Sequence, residues 1–173
     1  QLSIKELSNS ILRFLTKRKS PGVFIINLFS TSENSGEDIV GNLICGYMQS
    51  RMLNTRFITY GEDFNTDSTQ YLLAKNITDF YTLQGEDILI VAYPPLSSSN
   101  IPTALLHDDN VNILVSPADR GWKTIDKQLC EQLTTQMGKT DVPFRVCLTN
   151  AKREAVEDFT GQLPPYTLLR RVS

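Results

Sequence analysis

Two stretches of this 173-residue chain are apolar at consecutive positions instead of alternate ones, and that constrains the fold more than any other feature. They are VFIINLF from Val23 to Phe29 and DILIVAY from Asp87 to Tyr93. A strand wetted on one side alternates apolar and polar residues, whereas a strand apolar throughout is buried on both sides, as in a parallel sheet covered by helices. The rest of the chain supplies such helices. Ile4, Leu7, Ile11, Leu12 and Leu15 recur at helical spacing between Ser3 and Arg18, with basic residues gathered at the end, where the helix dipole favours them. Pro21 and Gly22 stop that helix. A second runs from Glu37 to Leu53 through Ile39, Val40, Leu43, Ile44, Tyr47 and Met48, with acids at its start.

The alternation continues to the end. Arg56 to Tyr60, Val111 to Ser116 and Phe144 to Asn150 read as strands, and Ser68 to Asn76, Ile101 to Leu106, Trp122 to Met137 and Arg153 to Thr160 read as helices. Gly161 and the extended tail LPPYTLLRRVS close the chain. Strands alternating with helical segments predict parallel pairing, hence a three-layer α/β/α sandwich forming one domain over residues 1–173, with a helix at 1–20 preceding the core.

Charge and cysteine content narrow the function. Lys and Arg number 17 against 19 Asp and Glu, a net charge of −2, so no broad positive field exists to hold a nucleic-acid backbone or an anionic bilayer. Cys45, Cys130 and Cys147 are widely spaced in apolar runs, which fits small core residues in a reducing cytosol better than a disulfide framework. The longest apolar runs fall well short of the roughly 20 residues that span a bilayer. The chain opens on Gln1 instead of Met, which reads as a fragment of a longer protein and leaves room for a membrane part upstream.

In an open parallel sheet, ligands bind beyond the carboxyl ends of the strands. The loop after the first strand is a strand–loop–helix unit of the kind that cradles phosphate with backbone N–H groups and a helix N-terminus. It reads Thr31, Ser32, Glu33, Asn34, Ser35, Gly36, Glu37, Asp38. Against G-x-x-x-x-G-K-[ST] it offers no lysine, and Glu33, Glu37 and Asp38 place negative charge where a triphosphate would lie. The same acids serve as N-terminal helix charges, with Ser35 as the expected cap. The third strand ends on Ala92, where a nucleotide hydrolase carries a magnesium-binding acid, and Asp87 sits at the far end of that strand. Glu62, Asp63 and Asp67 follow the second strand without calcium-loop spacing, as a solvated loop would. His107 is the chain's one histidine and has no catalytic partner in view. Trp122 reads either as an exposed interface anchor or as a packed boundary residue.

The order VFIINLFS, a Ser/Gly loop, GEDFNTDSTQYLLAKNITDF, DILIVAYPPL, NILVSPADRGWKTIDKQL and VCLTNAKREAVEDFTGQLPP resembles the cytoplasmic tyrosine-kinase (BY-kinase) domain of exopolysaccharide and capsule chain-length proteins. That group is related to the ParA/MinD type of P-loop ATPase. The likeness runs from about Pro21 to the end; its most specific pieces are YPPL, the W-x-x-x-D from Trp122 to Asp126, and LTN followed by GQLPP. It implies a P-loop NTPase fold, an ATP and magnesium site, and a tyrosine-bearing tail. Aligning Asn42 and Leu43 with the family's Asn-Leu pair puts Gly36 at the lysine and Glu37 at the Ser/Thr. Asp63 then falls near the second acidic position, Ala92 at the third, and the tail offers only Tyr166.

Phosphoryl transfer rests on lysine and magnesium, so their loss predicts a pseudo-enzyme without cofactor. Such a domain would act through self-association or contact with a membrane-embedded chain-length or export protein, at the inner face of the cytoplasmic membrane. Its contact surfaces would be the first helix, the loop from Thr31 to Asp38 and the region of Trp122. The rival expectation is an active kinase or ATPase whose lysine comes from elsewhere, for example Lys75 or Lys123; a third is a binder of a small anionic metabolite at helix N-termini.

Overall fold

A computed structural model describes residues 2–19, 21–106, 111–117, 123–137, 144–149 and 167–172. Helix α1 (Leu2–Lys17) precedes strand β1 (Phe24–Phe29), which leads through a short loop to α2 (Glu37–Ser50) and β2 (Thr55–Thr59). The four-residue helix α3 (Thr69–Leu72) and a 3-10 turn at Ile77–Asp79 lead to β3 (Ile88–Ala92). A second 3-10 turn, Thr103–Leu105, precedes β4 (Val111–Pro117), α4 (Thr124–Met137), β5 (Phe144–Thr149) and β6 (Thr167–Val172). The strands form one sheet in the order β2-β3-β1-β4-β5-β6, and every pairing is parallel. The neighbouring interior strands β1 and β3 are the two continuous apolar runs of the sequence, as burial on both sides requires.

Each side of the sheet carries its own core. On one side Phe24, Ile26, Leu28, Ile88, Ile90, Val111 and Ile113 pack with Leu7 and Ile11 of α1 and Val40, Ile44 and Met48 of α2. The apolar stripe of α1 is therefore built into the interior. Gly41 of α2 lies against the Phe57 ring of β2, which a methyl group there would overlap. On the other side Phe29, Leu89, Val91, Tyr93 and Leu114 pack with Phe64, Tyr71, Ile77, Leu105 and Leu106. Helices or turns thus flank both sides, giving the expected α/β sandwich.

Several sequence expectations change. The helix expected over Ser68–Asn76 is one turn only; Ser68 caps it by accepting from the Tyr71 amide, and Asn76 starts a new turn with its own capping box. The helix expected over Ile101–Leu106 shrinks to the 3-10 turn. Helix α2 ends at Ser50 instead of Leu53 because Met52 adopts a left-handed backbone, φ 63°. The tail, expected as merely extended, contributes the sixth strand alongside β5. His107, Trp122, Tyr166 and the helix expected over Arg153–Thr160 lie outside the described residues, as do the side chains of Cys130 and Cys147.

Candidate functional site

The loop after β1 opens at the carboxyl edge of the sheet, and its backbone is set by two left-handed residues, Asn34 at φ 57° and Gly36 at φ 94°. Gly36 is the N-cap of α2 and Glu37 its first helical residue. This corrects the capping position expected at Ser35, whose buried hydroxyl donates to the Ser32 carbonyl at 2.8 Å. The left-handed turn at Gly36 puts a residue without a side chain at the cap, and the helix begins from there. The loop is tied at further points: the Leu96 amide donates to the Ser30 carbonyl at 2.8 Å, and the Thr31 hydroxyl donates to Asp126 Oδ1 at 2.6 Å.

Glu33, Asn34, Gly36, Glu37 and Asp38 line a cavity of about 520 Å³ together with Ile39, Thr59 and Tyr60, and with Ala92, Tyr93 and Pro95 at the end of β3. The structure therefore gathers most of the loop and Ala92 around one space. Thr31, Ser32 and Ser35 do not line it, their hydroxyls being engaged in bonds within the loop or to Asp126. Asp63 is not there either. Its carboxylate accepts from the Thr59 amide at 2.8 Å and closes the turn after β2. Asp87 accepts from the Asn54 amide at 2.9 Å, beside the amino end of β3 and remote from the cavity.

No lysine, arginine or histidine is among these lining residues. Burial pushes the Glu37 carboxyl above its ordinary value; the Ser30 hydroxyl and the backbone amide of Glu37 oppose this, and the charge of Asp38 adds to it. Burial likewise raises the Tyr60 hydroxyl, and the negative charges of Glu37, Glu33 and Asp38 raise it further. Burial is the main cause of both shifts, and the neighbouring acids add to it. Among the described residues, no group of three or more His, Cys, Asp or Glu converges in a way that could hold a metal ion. The carboxylates stand around the cavity without meeting in it.

Sequence reasoning found the loop and Ala92 and missed Thr59, Tyr60, Tyr93 and the Thr31–Asp126 bond. The signal for the first three was present, since they end the second and third strands at the carboxyl edge where ligands bind. The bond joins residues 95 positions apart and leaves no local trace.

No protein-family model matches the sequence, and no curated protein matches it. Among solved structures, a similar chain is described as a possible uridine kinase from Bacillus stearothermophilus. It is 12% identical with a TM-score of 0.45, and the alignment covers 83% of this chain and 96% of that one. No helix among the described residues is long and apolar enough to cross a membrane.

Proposed function

We propose that this chain is a catalytically inactive P-loop-type domain that works by protein contacts, in the setting its sequence resembles, the cytoplasmic side of a polysaccharide chain-length or export apparatus. The observation that carries the inactivity is the cavity at the carboxyl edge, lined by Glu33, Glu37 and Asp38 with no cationic side chain among the described residues. Anchoring the phosphate-loop pattern on Gly36, the loop's one glycine, puts Glu37 at the lysine and Asp38 at the Ser/Thr. The register based on Asn42 and Leu43 differs by one position. Both leave the lysine missing, and Ala92 supplies no acid for magnesium.

The electrostatics set the scale. A phosphoryl group needs positive charge at its equatorial oxygens, and the lysine and metal that provide it account for several orders of magnitude in rate. Replacing them by carboxylates turns attraction into repulsion in a partly dehydrated space, where unit charges interact by several kcal/mol. Lys75 and Lys123, the substitutes weighed from the sequence, do not line the cavity. The partners follow from the resemblance: further copies of this chain, or a membrane-embedded polysaccharide protein, met through the loop from Thr31 to Asp38 and the start of α4.

The deciding experiment is thermal unfolding with and without magnesium–ATP. Any ligand of the native state raises the melting temperature, by about 2.7 kcal/mol of stability at one hundred times its dissociation constant. The expected outcome is no shift at millimolar nucleotide. A clear shift, abolished by omitting magnesium, would overturn the proposal in favour of an active nucleotide site.

A further inference from the structure

We infer that Asp126 is a latch coupling the start of α4 to the loop after β1, so that a displacement of one is felt at the other. The aspartate of the W-x-x-x-D segment does not line the cavity at the carboxyl edge, yet only 1% of its surface is exposed. A carboxylate so enclosed persists only where its oxygens are hydrogen-bonded. Both are. Oδ1 accepts from the Thr31 hydroxyl at 2.6 Å, within the range of a charge-assisted bond, and Oδ2 accepts from the Lys123 amide at 2.9 Å. One side chain therefore holds the first turn of α4 with one oxygen and the start of the loop with the other.

Both ends of the latch carry exposed side chains. Ile125, next to Asp126, is 51% exposed; at the other end Glu33 and Asn34 are exposed and Ile39, in the first turn of α2, is 54% exposed. Moving α4 at its start pulls on Asp126, hence on Thr31, and so on the loop that shapes the cavity. This goes beyond the proposed function and uses no nucleotide, so its test and the magnesium–ATP test fail independently.

The experiment uses the full chain and two readouts, amide hydrogen exchange over residues 32–38 and the fluorescence of Trp122, the chain's one tryptophan, four positions before Asp126. Thr31→Val keeps the shape and removes the donor. A lost bond to a charged group predicts exchange in the loop about tenfold faster or more, together with a changed Trp122 emission. Thr31→Ser restores the hydroxyl and should restore both signals. Asp126→Asn turns an NH2 against the Lys123 amide while its oxygen can still accept from Thr31, so it should alter the emission from the opposite end. Ser68→Ala removes the cap of α3 and should leave both signals unchanged. Unaltered loop exchange or emission in Thr31→Val, or equal changes in Ser68→Ala, would overturn the latch.

Discussion

The two sides of the sheet bury similar numbers of apolar residues by different means. The side under α1 and α2 is covered by two long helices whose aliphatic residues interlock with Phe24, Ile26, Leu28, Ile88 and Ile90. The other side lies partly under a four-residue helix and two 3-10 turns, held by aromatic contacts: Phe64 with Phe80 at 4.9 Å, Tyr71 with Phe80 at 5.2 Å, Phe29 with Tyr93 at 5.3 Å. It also buries polar atoms without partners, among them Asn27 Oδ1, Asn112 Nδ2 and the Tyr71 hydroxyl. Rigid helices leave a gap when an atom is removed from beneath them, whereas short turns can settle into it.

The largest expected effect tests that difference with one chemistry at two places. Leu28→Ala, in the central strand under α2, should cost about 3 to 4 kcal/mol of unfolding free energy in urea. Leu105→Ala, in a 3-10 turn on the other side, should cost about 2 kcal/mol, near the low end for such changes, because the turn can follow the lost volume. Both leucines are almost fully buried, at 0% and 4% exposure, so burial alone predicts equal losses. Equal costs would mean that the turns are as unyielding as the helices.

The same contrast explains what the sequence made legible. Helices α1, α2 and α4 announce themselves by apolar spacing over three or more turns, and β1 and β3 by continuous apolar runs. Their bounds were read to within a few residues. The cover of the second side depends on the rings of Phe64, Tyr71 and Phe80 meeting across short segments and on the Ser68 and Asn76 caps, none of which has a period. The spacing around Ser68–Asn76 therefore suggested one longer helix where the chain makes two separate turns. At the cavity, charge and the missing lysine could be read from the loop itself. The fastening of Thr31 to Asp126 could not, because only folding brings those two positions together.

An intermediate effect is expected inside the second side. Asn27 and Asn112 are register partners on β1 and β4, both fully buried, and Asn27 Nδ2 donates to Asn112 Oδ1 at 3.0 Å. Each amide still has one atom unpartnered. Asn27→Leu or Asn112→Leu alone leaves the other amide orphaned and should cost about 2 kcal/mol. The double replacement removes the orphans along with the bond and should cost less than the sum, a coupling of about 1 kcal/mol or more in a double-mutant cycle. Additive losses would show that each asparagine is held by its own surroundings instead of by the pair, and would make this side more like the aliphatic one.

The smallest effect bears on the cavity itself. The folded-state pKa of Glu37 lies above its unfolded value, chiefly through burial, so the folded chain binds the extra proton more tightly. Stability from this group is complete below the unfolded pKa and is lost as pH rises through the folded one, the slope following the difference in bound protons. Glu37→Gln removes that dependence. The stability of the variant relative to the parent should therefore increase between about pH 4 and pH 7, by no more than about 1 kcal/mol, given a partly exposed site. The N-terminus of α2 works the other way, since its positive end favours a carboxylate by about 0.3 to 1 kcal/mol. A relative stability that instead falls toward pH 7 would show that the helix end outweighs burial and the neighbouring acids. The cavity would then hold an anion more readily than its lining suggests, and the case against a nucleotide in it would weaken at its electrostatic root.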